Sequence, residues 1–285
     1  MKVASSDVAV AIIFGRAKSK NEKYSFVQVI TGNDSFSINF DYNDFVTTKR
    51  PFSVRIGNNT ISLGGANMDI VGLNYIKCRI TFNSVTPIKY DAMGPFKFFP
   101  FMECKHKVIS IDQKVSGSIN INGSELNFTN AAGYIEGDFG LSFPKKYFWS
   151  QCNKFSGIDN LSVMGSCGLI SYLGFRFNGT ICIINSNGRE YRLATYLGAR
   201  VRVFTDNKLV VKQRGKMLEI ESLNMNKKGH ELLAPNHGEM NRAILESVQT
   251  AVRFKFSIRN RILFDVIGDC AAFEYSRELL TRTKI

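Results

Sequence analysis

The chain has 285 residues, of which 44% are hydrophobic and 21% are charged, a balance typical of a folded globular protein and not of a disordered chain. No apolar run approaches the ~18 residues of a membrane-spanning helix. The net charge of +13 predicts a basic surface. Because Lys and Arg are spread along the chain without a nucleic-acid-binding motif, we expect no nucleic-acid partner.

Alternating apolar and polar residues, interrupted by turn residues about every ten positions, predict antiparallel strands along most of the chain. The pattern indicates an all-β protein, an antiparallel barrel or sandwich, and a closed barrel would remove exposed sheet edges. The predicted hairpin turns are, in chain order, Gly32-Asn33-Asp34, Gly57-Asn58-Asn59, Asn122-Gly123, Asn178-Gly179, Asn187-Gly188, Asp206-Asn207, Arg214-Gly215 and Arg259-Asn260.

One helix is predicted in "GEMNRAILESV", where Met240, Ile244 and Val248 recur at helical spacing, and "SRELL" near the end is typical of one further turn. We expect a single domain over residues 1–285. A Gly-, Ser- and Asn-rich stretch at residues 156–165 marks where a division into two β-barrel halves would fall.

The six cysteines form no CxxC pair, and the apolar run from Val8 to Phe14 has no signal-peptide cleavage site. We therefore expect free thiols and a cytoplasmic protein. The histidines, His106, His230 and His237, lack metal-ligand spacing. Because no P-loop, GxSxG or GxGxxG motif occurs either, we expect neither a metal nor a cofactor.

Two segments combine aromatic rings with ionisable groups, the composition of a small-molecule pocket. "MGPFKFFPFMECKHKVIS" contains Phe98, Glu103 and His106, and "GYIEGDFGLSFPKKYFWSQCN" contains Glu136 and Asp138 among six rings. A carboxyl group held among rings is desolvated, so its pKa rises and it can serve as a general acid. The alternative is that the rings belong to the core and the acids form solvated pairs with lysines.

The second segment resembles the signature of the tocopherol cyclase family. The matching positions are Tyr134, Glu136, Asp138, Gly140, Phe143, Pro144, Tyr147, Trp149 and Gln151. Two positions depart from the signature, Gly137 in place of Lys and Phe139 in place of Trp. The similarity continues from about Val8 onward in segments such as "YLGFRFNGTI" and "LLAPNHGEMNRAILES", and it is nearest to the uncharacterised bacterial branch of the family.

The resemblance implies a lipocalin-like β fold with an apolar cavity, in which a prenylated quinol closes to a chromanol. From the chemistry of that reaction we predict Glu136 or Asp138 as the acid and His106 or Glu103 as the acceptor of the phenolic proton. Rings would shelter the intermediate cation. The predicted substrate-binding residues are Tyr134, Phe139, Phe143, Tyr147, Trp149, Gln151 and Phe98.

The same residues fit a second hypothesis, a non-catalytic lipocalin-like protein that binds an apolar or anionic lipid. In both hypotheses the partner is a small hydrophobic ligand, a prenylated aromatic compound in the first. The positive charge also predicts peripheral contact with an anionic membrane. The sequence gives no indication of the oligomeric state.

Overall fold

A computed structural model describes residues 1–20, 22–224 and 229–276. These residues form β-strands and three short 3-10 turns, without an α-helix in the described ranges. The strands are β1 (Lys2–Ala4), β2 (Ala9–Lys18), β3 (Lys23–Ile30), β4 (Ser35–Phe40), β5 (Phe45–Lys49), β6 (Phe52–Ile56), β7 (Asn59–Ser62), β8 (Gly65–Ile70), β9 (Ile76–Thr86), β10 (Cys104–Ile121), β11 (Ser124–Gly140), β12 (Tyr147–Cys152), β13 (Leu161–Tyr172), β14 (Phe175–Ser186), β15 (Arg189–Ala194), β16 (Arg200–Phe204), β17 (Lys208–Gln213), β18 (Lys216–Ser222), β19 (His230–Asn236), β20 (Glu239–Ile258) and β21 (Arg261–Ser276). The 3-10 turns span Tyr42–Asp44, Gly94–Phe98 and Thr195–Leu197.

The strands form two antiparallel sheets. The first contains β1 to β11 in the order β4-β3-β2-β1-β11-β10-β9-β8-β7-β6-β5. The second has the order β15-β14-β13-β12-β21-β20-β18-β17-β16, and β19 also pairs with β20. The fold is therefore all-β, as the alternating pattern predicts.

Each sheet curls around an apolar core of its own. In the first sheet β2 approaches β6 although six strands separate them in the sheet order, and in the second β15 approaches β17 across the sheet. The Gln213 side chain links those two strands, since its amide donates to the Arg192 carbonyl and its Oε1 accepts from the Ala194 N–H. Curling lets inward-facing side chains pack together, with Ile12, Ile56 and Ile119 fully buried in the first core.

The two curled sheets pack against each other through their central strands. One contact cluster combines Ala9 and Ala11 of the first sheet with Ile244 and Val248 of the second. Another combines Val108, Ile111 and Tyr134 with Met164 and Ile183. The chain passes from one sheet to the other at residues 141–146, between β11 and β12. The stretch at residues 156–165 lies within the second sheet, and a division into domains there stays a prediction.

Seven of the eight predicted hairpin turns are confirmed. The exception is Asn178-Gly179, which lies inside β14, because the chain turns earlier, at Leu173-Gly174, where both residues have positive φ. The predicted helix in "GEMNRAILESV" is wrong, since these residues form the start of the long strand β20 and the turn before it. Met240, Ile244 and Val248 are four positions apart, a spacing that keeps side chains on one face of a strand as well as of a helix. Most of "SRELL" lies outside the described residues.

The six cysteines are free thiols, as predicted. No helix in the described part of the chain is long and apolar enough to cross a membrane.

Candidate functional site

The motif that resembles the cyclase signature folds into two strands, one in each sheet. Along β11, Tyr134 belongs to the contact between the sheets, whereas Ile135 packs into the first core. Along β12, Trp149 lies between the sheets and Phe148 lies in the second core. Because strand residues alternate between faces, Glu136 and Asp138 share the face of Tyr134. The crossover at residues 141–146 therefore turns the two halves of the motif towards each other.

Neighbouring strands bring further ionisable groups to the same faces. In the first sheet, His106 of β10 lies directly opposite Asp138, and Lys2 of β1 lies opposite Tyr134. In the second sheet, Glu274 of β21 lies between Trp149 of β12 and Glu246 of β20 in one cross-strand row. We refer to eight of these residues as the inter-sheet acid cluster. They are His106, Tyr134, Glu136, Asp138, Tyr147, Trp149, Glu246 and Glu274.

On the first sheet, His106 lies between two carboxyl groups. Its Nδ1 is 2.9 Å from Oδ1 of Asp138, and its Nε2 is 3.3 Å from Oε2 of Glu136. Burial lowers the pKa of His106, but the charges of Asp138 and Glu136 and the hydrogen bond with Asp138 outweigh burial and raise that pKa to about 9. At neutral pH this imidazole is therefore a cation.

Glu136 is held by a phenol as well as by the imidazolium. The Tyr134 hydroxyl donates a hydrogen bond of 2.5 Å to Oε2 of Glu136. Burial raises the pKa of Glu136, and Asp138 adds to the rise, while His106 and the Tyr134 hydrogen bond oppose it. The carboxyl group thus has a greater tendency to stay protonated than an exposed glutamate has.

The second sheet presents a similar pair. The Tyr147 hydroxyl donates a hydrogen bond to Oε1 of Glu274. Burial, together with the nearby Glu246 charge, raises the pKa of Glu274 well above its usual range. Burial and the charge of Glu136 raise the pKa of Glu246 to about 7. Three carboxyl groups that repel one another thus lie between the sheets, and protonation relieves that repulsion.

Two ring nitrogens in the cluster are buried without a hydrogen-bond partner, Nε1 of Trp149 and Nε2 of His106. Although Nε2 of His106 is near Glu136, their geometry does not satisfy a hydrogen bond. A buried donor without an acceptor destabilises a protein by about 1–3 kcal/mol. A ligand oxygen between the sheets could accept from these donors.

Lys2 and Gln151 form a buried pair beside the cluster. The Lys2 ammonium donates to Oε1 of Gln151 (3.3 Å) and to the Cys270 carbonyl (2.6 Å), and burial lowers its pKa. The Gln151 amide donates to Asn153. Gln151 is fully buried and its polar atoms bind the protein itself, and its predicted contact with a ligand stays a prediction.

The structure brings together six of the predicted site residues, His106, Tyr134, Glu136, Asp138, Tyr147 and Trp149. Phe143 stacks edge-on against Tyr147, with 5.8 Å between ring centroids, and so extends the cluster. Phe98, Glu103 and Phe139 lie outside it. Phe139 occupies the opposite face of β11 from Glu136 and is mostly exposed. Glu103 and Phe98 are exposed residues before β10.

The sequence interpretation missed Glu246, Glu274 and Lys2. Glu246 fell within the predicted helix, where a charged residue is expected on the solvent-facing side. In the strand β20, however, Glu246 lies between the buried residues Ile244 and Val248 of one face. An acid at an inward position of an alternating strand is the signal that would have identified it.

Two surface clefts lie at the edge of the first sheet, one bordered by β3, β4 and the β19–β20 hairpin and the other by the ends of β2, β3 and β20. Neither is lined by residues of the inter-sheet acid cluster. Among the described residues, no three His, Cys, Asp or Glu side chains are placed to hold a metal ion.

Solved structures with a similar fold support the architecture. Kievitone hydratase from Nectria haematococca superimposes with a TM-score of 0.58 over 97% of this chain and 88% of its own, at 12% identity. A candidate AttH protein from Nitrosomonas europaea gives a TM-score of 0.54 over 95% of this chain and 88% of its own, at 13% identity. The chain is thus an all-β protein of lipocalin-like fold, with buried acids and rings between two curled sheets.

The family model "Tocopherol cyclase-like" matches residues 65–276, which are more than half of the chain. The chain therefore belongs to the tocopherol cyclase-like family. Among individual proteins, a probable tocopherol cyclase of Oryza sativa subsp. japonica is 30% identical over 93 residues, which are 33% of this chain and 20% of that protein. The Zea mays tocopherol cyclase is 32% identical over 76 residues, 27% of this chain and 16% of that protein. The matched segments thus cover a fifth or less of these plant relatives.

Proposed function

We propose that the protein closes the ring of a prenylated quinol to give a chromanol, with the inter-sheet acid cluster as the active site. The observation that carries this proposal is the partly buried Glu136, which accepts a hydrogen bond from Tyr134 at the contact between the sheets and whose charge interacts with those of Glu246 and Glu274. Protonating an alkene requires an acid that holds its proton in a dry site lined with rings, and membership of the cyclase-like family supports this reaction.

In the first step, the Glu136 carboxyl group transfers its proton to the less substituted carbon of the prenyl double bond. The π electrons form the new C–H bond, and the other carbon becomes a tertiary cation. Burial raises the pKa of Glu136 and so helps the carboxyl group to hold its proton until the double bond is in place. Asp138 is less suited as the acid, since it already holds the His106 imidazolium.

The rings of the cluster stabilise the cation that this step produces. Trp149 and Tyr147 of the second sheet and Tyr134 of the first lie in the contact between the sheets, close to the acids of the cluster. Each ring face close to a cation contributes about 0.5–2 kcal/mol. The newly formed Glu136 carboxylate adds electrostatic stabilisation at short range.

The phenol oxygen then attacks the cation, forming the C–O bond of the new ring, and its proton must pass to a base. His106 was predicted for that task, but its pKa of about 9 means that it already carries a proton at neutral pH. Glu246 has a pKa of about 7 and lies close enough to Glu136 for their charges to interact. We assign Glu246 as the acceptor. The proton returns to Glu136 through solvent, so the product is an isomer of the substrate.

The quinol oxygens match the unpaired donors of the site. His106 Nε2 and Trp149 Nε1 come from opposite sheets and lack a hydrogen-bond acceptor. A phenolic oxygen that accepted from either would be oriented between the sheets. In this arrangement His106 binds and orients the substrate, and Asp138 holds its imidazolium in place.

The two departures from the cyclase signature lie away from the inter-sheet face and are compatible with activity. Gly137 and Phe139 alternate with Glu136 and Asp138 along β11, so they lie on the strand's other face, opposite Lys107 and Lys105. Substitution there leaves the groups of the inter-sheet face in place.

The test is conversion of a prenylated hydroquinone by the wild type and by Glu136→Gln, with chromatography to separate the isomers. We expect Glu136→Gln to lower kcat by at least about 100-fold, because an amide cannot donate the proton. Glu103→Gln is the matched control, since Glu103 is exposed before β10, and its activity should stay within about twofold of the wild type.

Full activity in Glu136→Gln would reject Glu136 as the acid. If the wild type retains the quinol but forms no chromanol, the non-catalytic lipid-binding hypothesis replaces this one.

A further inference from the structure

Six large apolar side chains are exposed at one end of the molecule. They lie between 63% and 86% exposed, whereas soluble proteins keep contiguous apolar patches small unless the patch binds something. We refer to them as the apolar rim. Its members are Phe98, Phe101, Phe139, Leu141, Leu173 and Phe175.

Contacts between three segments hold the rim together. The segment before β10 contacts the β13–β14 turn, with 5.6 Å between the ring centroids of Phe99 and Tyr172. The same segment contacts β10, since the Lys105 ammonium donates to the Lys97 carbonyl at 3.0 Å. Lys105 in turn lies opposite Phe139 near the end of β11. The exposed side chains therefore belong to one surface and not to separate loops.

The rim segments carry an excess of positive charge. Acidic residues in the same segments are Glu103 and Asp138, and Asp138 is paired with His106. The ammonium of Lys97 lies 4.8 Å from the ring centroid of Phe98, so charge and apolar surface are adjacent. The basic residues are Lys97, Lys105, Lys107, Lys145, Lys146 and Arg176.

The rim lies next to the exposed end of the inter-sheet acid cluster. Phe139 and Glu136 are three residues apart on β11, which is about 10 Å along a strand. The exposed fraction of the side chain is 29% for Asp138 and 21% for Glu136. A molecule that enters between the sheets at this end therefore passes the rim before it reaches Glu136.

We propose that the apolar rim docks on an anionic lipid bilayer and that the acid cluster takes a prenylated lipid directly from that bilayer. Single aromatic and leucine side chains flanked by lysines are suited to the headgroup region, where the rings enter the apolar boundary and the ammonium groups meet anionic lipids. A protein partner fits this surface less well. It would pair carboxylates with the lysines, but it would not need apolar side chains that project from separate turns. Binding of the rim to the bilayer does not depend on the cyclase reaction. Only the transfer of a prenylated lipid from the bilayer to the acid cluster rests on the proposed function.

The first experiment is flotation with vesicles of phosphatidylcholine alone or with about one-third phosphatidylserine. The wild type should float with the anionic vesicles and less with neutral ones, and added salt should weaken the binding. The double variant Phe101→Ser/Phe175→Ser should bind at least about tenfold more weakly. Its matched control is Val71→Ser/Leu73→Ser, which changes two exposed apolar residues in the β8–β9 connection and should bind like the wild type.

A second variant tests the charge without touching the rings. Lys97→Ser/Arg176→Ser should lose the preference for anionic vesicles while its thermal unfolding is unchanged. The proposal is overturned if the wild type binds neither kind of vesicle, or if the rim variants bind as tightly as the control. It is also overturned if the rim instead joins two copies of the chain, which sedimentation would reveal as a dimer that Phe101→Ser/Phe175→Ser abolishes.

Turnover separates this proposal from the proposed function. If the rim variants convert a detergent-dispersed quinol like the wild type but convert a vesicle-embedded quinol slowly, delivery from the bilayer is supported. If the wild type binds vesicles but forms no product from either preparation, the cyclase function fails while the docking surface stands.

Discussion

Two tyrosine–glutamate pairs lie between the sheets, Tyr134–Glu136 on the first and Tyr147–Glu274 on the second, and they differ in their surroundings. Glu136 is next to the His106 imidazolium, which counteracts the effect of burial on its pKa. Glu274 is next to Glu246, and its pKa is raised well above the usual range. The same pair of residue types therefore gives one carboxyl group on which a neighbouring cation opposes the rise in pKa and another on which a second carboxyl group adds to that rise.

The largest expected effect comes from removing that difference. His106→Gln deletes the imidazolium beside Glu136, so the carboxylate left after proton transfer loses its stabilising charge, and we expect kcat to fall about 100-fold. Glu274→Gln keeps the size of a side chain that takes no part in the proposed proton transfers, and kcat should stay within about tenfold of the wild type. Steady-state kinetics with a prenylated hydroquinone measures both. An equal loss in both variants would mean that the two pairs serve the same role.

A smaller effect is expected on stability and its pH dependence. The raised pKa of Glu246, about 7, stabilises the folded state fully below the unfolded value near 4.5, and this contribution is lost as the pH rises through about 7. Glu246→Gln should therefore match the wild type at pH 5 and be more stable by about 1–3 kcal/mol at pH 8. Urea unfolding at the two pH values measures the difference.

His106 is present in both the wild type and Glu246→Gln, so its titration affects the stability of both proteins alike. Its pKa rises from 6.5 to about 9, so its contribution is complete below pH 6.5 and is lost as the pH rises through about 9. The stability of the wild type should thus decline from mildly acidic to alkaline pH. If Glu246→Gln is no more stable than the wild type at pH 8, the prediction is wrong. The Glu246 carboxylate of the wild type would then be ionised at that pH without a cost in stability.

The smallest effect is predicted for the signature positions on the other face of β11. Phe139→Trp restores the family residue, but Phe139 is mostly exposed and faces away from Glu136. We expect kcat in detergent to change less than about twofold. A large gain would mean that this face of the strand contributes to the site after all.

The sequence was sufficient to predict the all-β class, most turns and the family, because turn residues and alternation are local signals. It was also sufficient to select Tyr134, Glu136 and Asp138 as candidate site residues, which alternation along β11 places on one face. It could not give the partners from the second sheet. Glu246 and Glu274 are more than 100 residues from Glu136 in the chain, and their proximity depends on strand order, which no local pattern specifies.

The helix error has a related cause. The spacing of Met240, Ile244 and Val248 is compatible with one face of a helix or of a strand. The longer alternation, which continues through Phe254 and Phe256, favours a strand. The structure places Phe139 outside the cluster for a different reason. Counting its ring as part of the motif ignored the alternation that separates it from Glu136.

The crossover at residues 141–146 makes the protein comparable to a heterodimer encoded in one chain. Each half encloses its own core, and the proposed active site lies at what would be the subunit interface. Arg242 binds the crossover through the carbonyl oxygens of Phe143, Pro144 and Lys145. A six-residue tether gives the two halves a high effective concentration for each other. Docking of the halves and assembly of the site are thus one intramolecular event, independent of protein concentration.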